Sequence, residues 1–200
     1  MDGVTGGAMG DARASITRQA TIGIRAMAAD DLAVVHRIEE LVSPDPWSRS
    51  LFADELATAR DDRQWLVATV AGEVVGYGGL LFVADEAHIM NLAVDPVRQR
   101  QGIASRLVAN LLLAAGDRGT IAATLEVRAS NWQAQGLYRR FGFVESGHRP
   151  RYYPDGEDAV IMWVHRMYRS EFRRMLSERA NGQAADPGLD TGPRGDRHVR

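Results

Sequence analysis

Residues 91–128 read NLAVDPVRQRQGIASRLVANLLLAAGDRGTIAATLEVR, and the fold is decided here. Asn91 to Val94 finish an apolar, strand-like run that Asp95-Pro96 stops. A basic turn with a single glycine, Gly102, comes next. From there Ile103, Leu107, Val108, Leu111 and Leu112 fall on one stripe, which predicts a helix over Ile103–Ala115. Thr120–Val127 is short and made mostly of small and branched residues, so it reads as a strand. Strand, helix and strand in this order form a crossover.

Working outward, Glu73–Val83 and Ala87–Val94 read as two strands, and Gln64–Val70 as the strand before them, turned by Ala71-Gly72-Glu73. Gly76, Gly78 and Gly79 weaken the middle strand or mark a bulge. Thr21–Arg25 alternates as a short strand, and Asp30 or Asp31 can cap a helix carrying Leu32, Val35, Ile38 and Val42. Ser48 can cap a second helix with Leu51, Phe52 and Leu56. Asn131–Arg140 reads as a helix, and Phe143–Gly147 and Ala159–His165 as the last strands. The expected order is β-αα-βββ-α-β-α-ββ, an α/β fold. Its mixed, mostly antiparallel sheet of about seven strands should carry helices on both faces.

The chain has 200 residues, enough for one domain with tails. Residues 21–167 form the expected domain. Residues 1–20 and the stretch from Ala180 to Arg200 are poor in large apolar groups and are expected to be disordered. Residues Val164 to Arg179 are expected to continue as an amphipathic helix, with Met167, Phe172, Met175 and Leu176 as a partial stripe, so that 168–200 holds a short helix before the tail. A net charge of -2 gives no field for nucleic acid or anionic membrane. No apolar run nears the ~18 residues that span a bilayer, and Met1 to Ala20 lack a signal peptide's apolar centre. A soluble, cytoplasmic protein is expected. The absence of cysteine excludes disulfides, thiolate metal sites and a cysteine nucleophile. His36, His88, His148, His165 and His198 show no ligand spacing, so no metal is expected.

Two clusters carry chemistry. Gln99-Arg100-Gln101-Gly102-Ile103-Ala104 lies between a strand and a strong helix, where consecutive N–H groups at the helix start can hold an anion. Gly102 lets backbone approach a phosphate, and Arg98 and Arg100 add charge. An ordinary strand–helix turn with solvated arginines stays open as the alternative. A Walker loop is excluded because Gly-Lys-Ser/Thr is missing, and a dinucleotide fingerprint because only one of its three glycines is present. In the second cluster, Leu125 and Val127 face one way and Glu126 the other. A carboxylate near the end of an apolar strand is either a partly desolvated base or half of a salt bridge with Arg128 or Arg139. Asn131 and Tyr138 lie about two helical turns apart and share a face.

Gln99-x-x-Gly102-x-Ala104 resembles the Q/R-x-x-G-x-G/A pyrophosphate loop of the GNAT acetyltransferase superfamily. LEVRASNWQAQGLYRRFGF resembles the LEVRxSN…A…LYxxxGF signature of its ribosomal-protein-alanine N-acetyltransferases (the RimI type). Arg149-Pro150-Arg151-Tyr152-Tyr153-Pro154, then Glu157-Asp158-Ala159, is similar to that family's RRxYY…EDA segment, and Asp45-Pro46-Trp47-Ser48 to an early one. The resemblance covers residues 22–165. It implies acetyl-CoA as cosubstrate and an N-terminal α-amine, of a ribosomal protein, as acceptor, with no covalent acyl-enzyme. It implies Glu126 as base and Tyr138 as the acid for the CoA thiolate. Asn91 to Pro96 resembles the family's fourth strand, where a bulge frees backbone groups; backbone contacts to the cofactor are implied at Leu92, Ala93 and Val94, with an N–H near Val94 polarising the thioester carbonyl. Further cofactor contacts are implied at Arg100, Gln101, Gly102, Ile103, Ala104, Ser105 and Asn131.

Trp47, Tyr152 and Tyr153 are implied walls of the peptide groove, with core or rim packing as the alternative reading. Glu39 and Glu40 either attract a basic peptide or form a solvated face. Two other functions stay open: acetylation of lysine side chains or small amines, and acyl-CoA binding without turnover.

Overall fold

The structure is a computed structural model that describes residues 21–57 and 61–183. The tails expected at 1–20 and from residue 184 onward, His198 included, lie outside the described residues.

Strand β1 (Ile22–Ala26) leads through a 3-10 turn to helix α1 (Leu32–Val42) and then α2 (Arg49–Ala57). Three antiparallel strands follow, β2 (Arg63–Val70), β3 (Glu73–Val83) and β4 (Glu86–Val94). Helix α3 (Ile103–Asp117) crosses over to β5 (Ala122–Arg128), which pairs parallel to β4. Helix α4 (Trp132–Arg139), β6 (Val144–Arg149), β7 (Ala159–His165) and α5 (Ser170–Ala180) complete the chain. The seven strands lie in the order β1-β2-β3-β4-β5-β7-β6, and only β4–β5 is parallel. The element order and mixed sheet expected from the sequence are therefore present.

Each face of the sheet has its own core. On one face α3, α4 and α5 cover Leu66, Leu80, Ile89, Leu125 and Val127. Leu107 and Leu111 of α3 are wholly buried there, each contributing roughly 2 kcal/mol. On the other face α1 and α2 bring Val35, Ile38 and Phe52 against Trp65, Val67, Tyr77 and Ala93. Gly79 belongs to this second core: a Cβ there would come within 2.5 Å of the Trp65 ring, so only glycine fits beneath the indole.

Several local expectations are corrected. Asp31 caps no helix with its side chain; it holds Arg25 at 2.6 Å and the Ala28 N–H at 2.8 Å, closing the 3-10 turn. Ser48 does cap α2, accepting from the Leu51 N–H at 3.1 Å. The helix expected from Val164 starts only at Ser170, because Val164 and His165 belong to β7; it runs through Ala180 and packs on α3, and Met167 and Leu176 are buried. Arg173 pairs with Asp117 at 2.6 Å, and Arg106 donates to the Asn181 carbonyl. Ala180 to Gln183, expected in the disordered tail, are thus tied to the domain. No described helix is long and apolar enough to cross a membrane.

Candidate active site

The site begins where β4 and β5 part. Their parallel ladder runs from Glu86↔Ala122 to Ile89↔Leu125 and stops. The ladder of β4 with β3 continues to Val94, after a shift that leaves Met90 as the extra residue of a bulge. The bulge expected in this strand therefore lies just before Asn91. Beyond the last shared pair the strands diverge, and the β5-facing side of Asn91–Val94 has no ladder partner.

Alternation decides which backbone groups face this split. The Asp95 N–H donates to Val75 of β3 at 2.9 Å, so the groups of Val94, and by the same alternation Leu92, turn to the other side. There the Gln99 side chain already donates to the Val94 carbonyl at 3.2 Å. The Val94 N–H lies on the same side. Ala93 turns its carbonyl toward β3, within 2.9 Å of where a Gly76 Cβ would stand. Of the three expected backbone contacts, Leu92 and Val94 face the split and Ala93 does not.

Helix α3 starts at the mouth of the split. Gly102 is its N-cap at φ 80°, a left-handed conformation that costs other residues about 1 kcal/mol or more. Arg100, two residues earlier, also has positive φ, at 59°. The two left-handed residues turn the chain sharply into the helix. The Arg106 N–H closes the first turn on the Gly102 carbonyl at 3.1 Å. The amides of Ile103, Ala104 and Ser105 precede it and have no helical carbonyl to donate to. The helix start, partly exposed Ala104 and Ser105, and exposed Arg100 and Gln101 leave room for an anion at this turn.

Glu126 is the first residue of β5 past the last β4 pair. Its neighbours Leu125 and Val127 point into the α3–α4 core, so Glu126 points to the α1–α2 face. Its carboxylate is partly exposed and meets Arg149 at 3.1 Å. This corrects the expected salt-bridge partners: Arg128 is held by Asp155 at 2.7 Å and Glu157 at 2.8 Å, and Arg139 donates to Gln135. Arg149 was legible only as part of the Arg-Tyr-Tyr segment, because β6 reaches Glu126 across β7.

Tyr138 sits on the opposite face. It is buried in the α3–α4 core, 5.6 Å from the Phe143 ring. Burial pushes its phenol well above the usual tyrosine range, with the Tyr153 phenol adding to the rise. Asn131 caps α4, accepting from the Ala134 N–H at 3.0 Å, so its amide nitrogen is the end left for a ligand.

Tyr153 is half-buried under the Arg128 guanidinium at 4.0 Å and edge-on to Tyr152 at 5.2 Å. Burial pushes its phenol up to about 12; Arg128 pulls it down, while Tyr152, Glu126 and Glu157 add to the rise. Tyr152 is exposed, beneath Arg149 at 5.4 Å. Glu157 holds this loop to the start of α4: it accepts from the Ser130 N–H at 2.8 Å and clamps Arg128. The Ser130 N–H above all, with the Ser130 side chain and Arg128, lowers the Glu157 carboxyl to about 2. Beyond the Glu-Asp-Ala resemblance, no local pattern in the chain pointed to this clamp.

Trp47 packs on the α1–α2 face against Phe52 at 5.5 Å and Trp65 at 5.8 Å, so it is both a core residue and half-exposed rim. Glu40 is exposed and pairs with His36. Glu39 is no solvated charge: it is buried, with Tyr77, Asn91 and the Trp47 N–H as donors. The sequence signal was its position. Glu39 occupies the helical stripe of Leu32, Val35 and Val42. The histidines meet local partners instead of one another: His88 lies near Glu86, His148 near Glu145, and His165 is stacked on Trp163. Among the described residues no group of three potential metal ligands converges.

Comparison with known proteins agrees with this geometry. Residues 32–143 match the acetyltransferase (GNAT) family. The ribosomal protein bS18-alanine N-acetyltransferase of Escherichia coli (strain K12) is 38% identical over 142 residues, 70% of this chain and 94% of that protein. A relative from Bacillus subtilis (strain 168) is 37% identical over 142 residues, 70% of this chain and 93% of its own. The crystal structure of the ribosomal-protein-S18-alanine N-acetyltransferase from Escherichia coli superposes with a TM-score of 0.67 at 36% identity. That match covers 73% of this chain and 94% of that one. With the split strands, the glycine-capped helix start and these relatives together, the chain belongs to the acetyltransferase (GNAT) family.

Proposed function

We propose that this protein transfers the acetyl group of acetyl-CoA to the N-terminal α-amine of a protein, the alanine of ribosomal protein S18, by direct attack in the cytoplasm. The observation that supports the chemistry is that Glu126 stands just past the last β4–β5 pair and points to the α1–α2 face, while Tyr138 lies in the core on the other face of the sheet. An amine arriving from the α1–α2 face meets the carboxylate, and a thiolate leaving toward α3 and α4 meets the phenol. The acceptor's identity rests on the named activity of relatives that this chain matches over 93–94% of their length.

The residues fit acetyl-CoA. The first amides of α3, with Arg100, Gln101 and Gly102, suit a diphosphate, and the backbone groups of Leu92 and Val94 suit an amide-bearing arm laid along β4. Asn131 would add its amide nitrogen. When bound, the cosubstrate supplies an activated acetyl thioester. Glu126 takes a proton from the ammonium, through water; an α-amine with pKa ~8 needs only modest help at neutral pH. The Val94 N–H polarises the carbonyl. Tyr138, kept protonated by its burial, returns a proton to the sulfur, whose thiol has a pKa of ~8.5. Trp47, Tyr152 and Tyr153 wall the first residues of the peptide.

The test compares acetyl transfer to a peptide carrying the N-terminus of S18 with transfer to spermidine. A kcat/KM for the peptide at least about a hundredfold higher supports the reading. Preference for spermidine moves the acceptor to small amines, and cosubstrate binding without transfer to either would make the protein a sensor.

A further inference from the structure

Glu39 is a buried carboxylate for which the proposed chemistry has no use. It is 2% exposed, on the face of α1 that meets the sheet. Three donors from three elements converge on it. The Trp47 backbone N–H, from the loop between α1 and α2, reaches Oε1 at 3.1 Å. The Asn91 side chain, from β4, reaches the same oxygen at 3.3 Å. The Tyr77 hydroxyl, from β3, donates to Oε2. Burial without such donors would be prohibitive for a charge, so the cluster is a built feature.

Its location matters. Asn91 is the residue next to the bulged Met90, immediately past the last β4–β5 pair. It lies on the α1–α2 face, as does Glu126, the first residue past that pair on β5. The carboxylate of Glu39 can only accept, so the Asn91 end facing it is the NH₂, and the carbonyl end is left to meet a donor. An incoming amine offers N–H donors. Trp47, the other group held by Glu39, stands on the rim of the same face.

We propose that Glu39 is a positioning residue for the acceptor: it fixes Asn91 as an N–H acceptor beside Glu126 and anchors Trp47 as a wall of the groove. The inference rests on the reading that an amine enters from the α1–α2 face. It assigns Glu39 no proton transfer and makes no contact between Glu39 and substrate.

The experiment is steady-state kinetics of Glu39→Gln and Asn91→Leu beside the wild type, with the S18 peptide and acetyl-CoA varied in turn. The loss of one hydrogen bond to the acceptor should raise the peptide KM on the order of tenfold, with the acetyl-CoA KM within about twofold and kcat changed less than the peptide KM. Asn91→Ser, which restores an oxygen acceptor, should recover part of the loss. Should Glu39→Gln fail to fold, Asn91→Leu alone decides, since it leaves Glu39 two donors. An unchanged peptide KM in a folded variant overturns the inference alone. Parallel loss in both KM values and kcat also overturns it, showing a merely structural role. A wild type that transfers nothing to the peptide overturns the functional reading and the inference with it.

Discussion

Glu126 and Arg149 face each other from β5 and β6, carboxylate oxygen to guanidinium nitrogen at 3.1 Å, reaching across β7 between them. Arg149 also lies over the Tyr152 ring. One half-exposed arginine therefore contacts both the candidate base and Tyr152, a proposed wall of the acceptor groove. Exposed ion pairs contribute little stability, so Arg149→Gln should shift unfolding by less than about 1 kcal/mol. Its peptide kcat/KM should nevertheless fall on the order of tenfold. Denaturant unfolding run beside kinetics separates the two effects.

Glu126→Gln removes the proton acceptor and keeps the shape. A positioned base contributes on the order of a hundredfold or more, so kcat/KM should fall by about that factor at pH 7 while acetyl-CoA binding holds. The deficit should narrow as pH rises past ~8, where the α-amine is already neutral. A pH–rate profile of both proteins reads this directly, and a deficit constant with pH would speak for a role other than proton removal.

Tyr138→Phe should lower kcat on the order of tenfold to a hundredfold, with KM for the peptide little changed. Burial first, and the neighbouring Tyr153 second, hold the Tyr138 phenol above its ordinary range. The acid stays protonated at neutral and mildly alkaline pH. No alkaline limb from this residue should appear below pH ~10 in the wild type.

Glu157 predicts acid behaviour. Its carboxyl is lowered from 4.5 to about 2 by the Ser130 N–H, the Ser130 side chain and Arg128. A depressed folded-state pKa contributes stability above the unfolded value and loses it as pH falls through the folded one. The contribution is therefore complete above pH 4.5 and lost toward pH 2. Glu157→Gln should flatten the fall in melting temperature across that window, while the wild type keeps it.

Much of this was legible in the chain. The periodicity of Ile103 to Leu112 and the alternation around Glu126 are local properties, and they fixed α3, β5 and the face Glu126 takes. Gly102 was readable as the glycine of the turn before α3; its left-handed conformation appears only in the structure. Features joining distant elements were not readable. Arg149 reaches Glu126 only because β7 inserts between β5 and β6, an order that no local pattern encodes. Glu39 meets Asn91 across 52 positions, and its only trace was a charge on an apolar stripe. The Met90 bulge depends on strand register, so the resemblance gave the strand that carries it but not the residue.

The central claim is that a free α-amine is the acceptor. It is tested most directly by fragmentation mass spectrometry of one peptide that begins with alanine and carries an internal lysine, after incubation with the protein and acetyl-CoA. The account predicts a single acetyl group on the alanine nitrogen. Acetyl on the lysine side chain, or on neither amine, would contradict it.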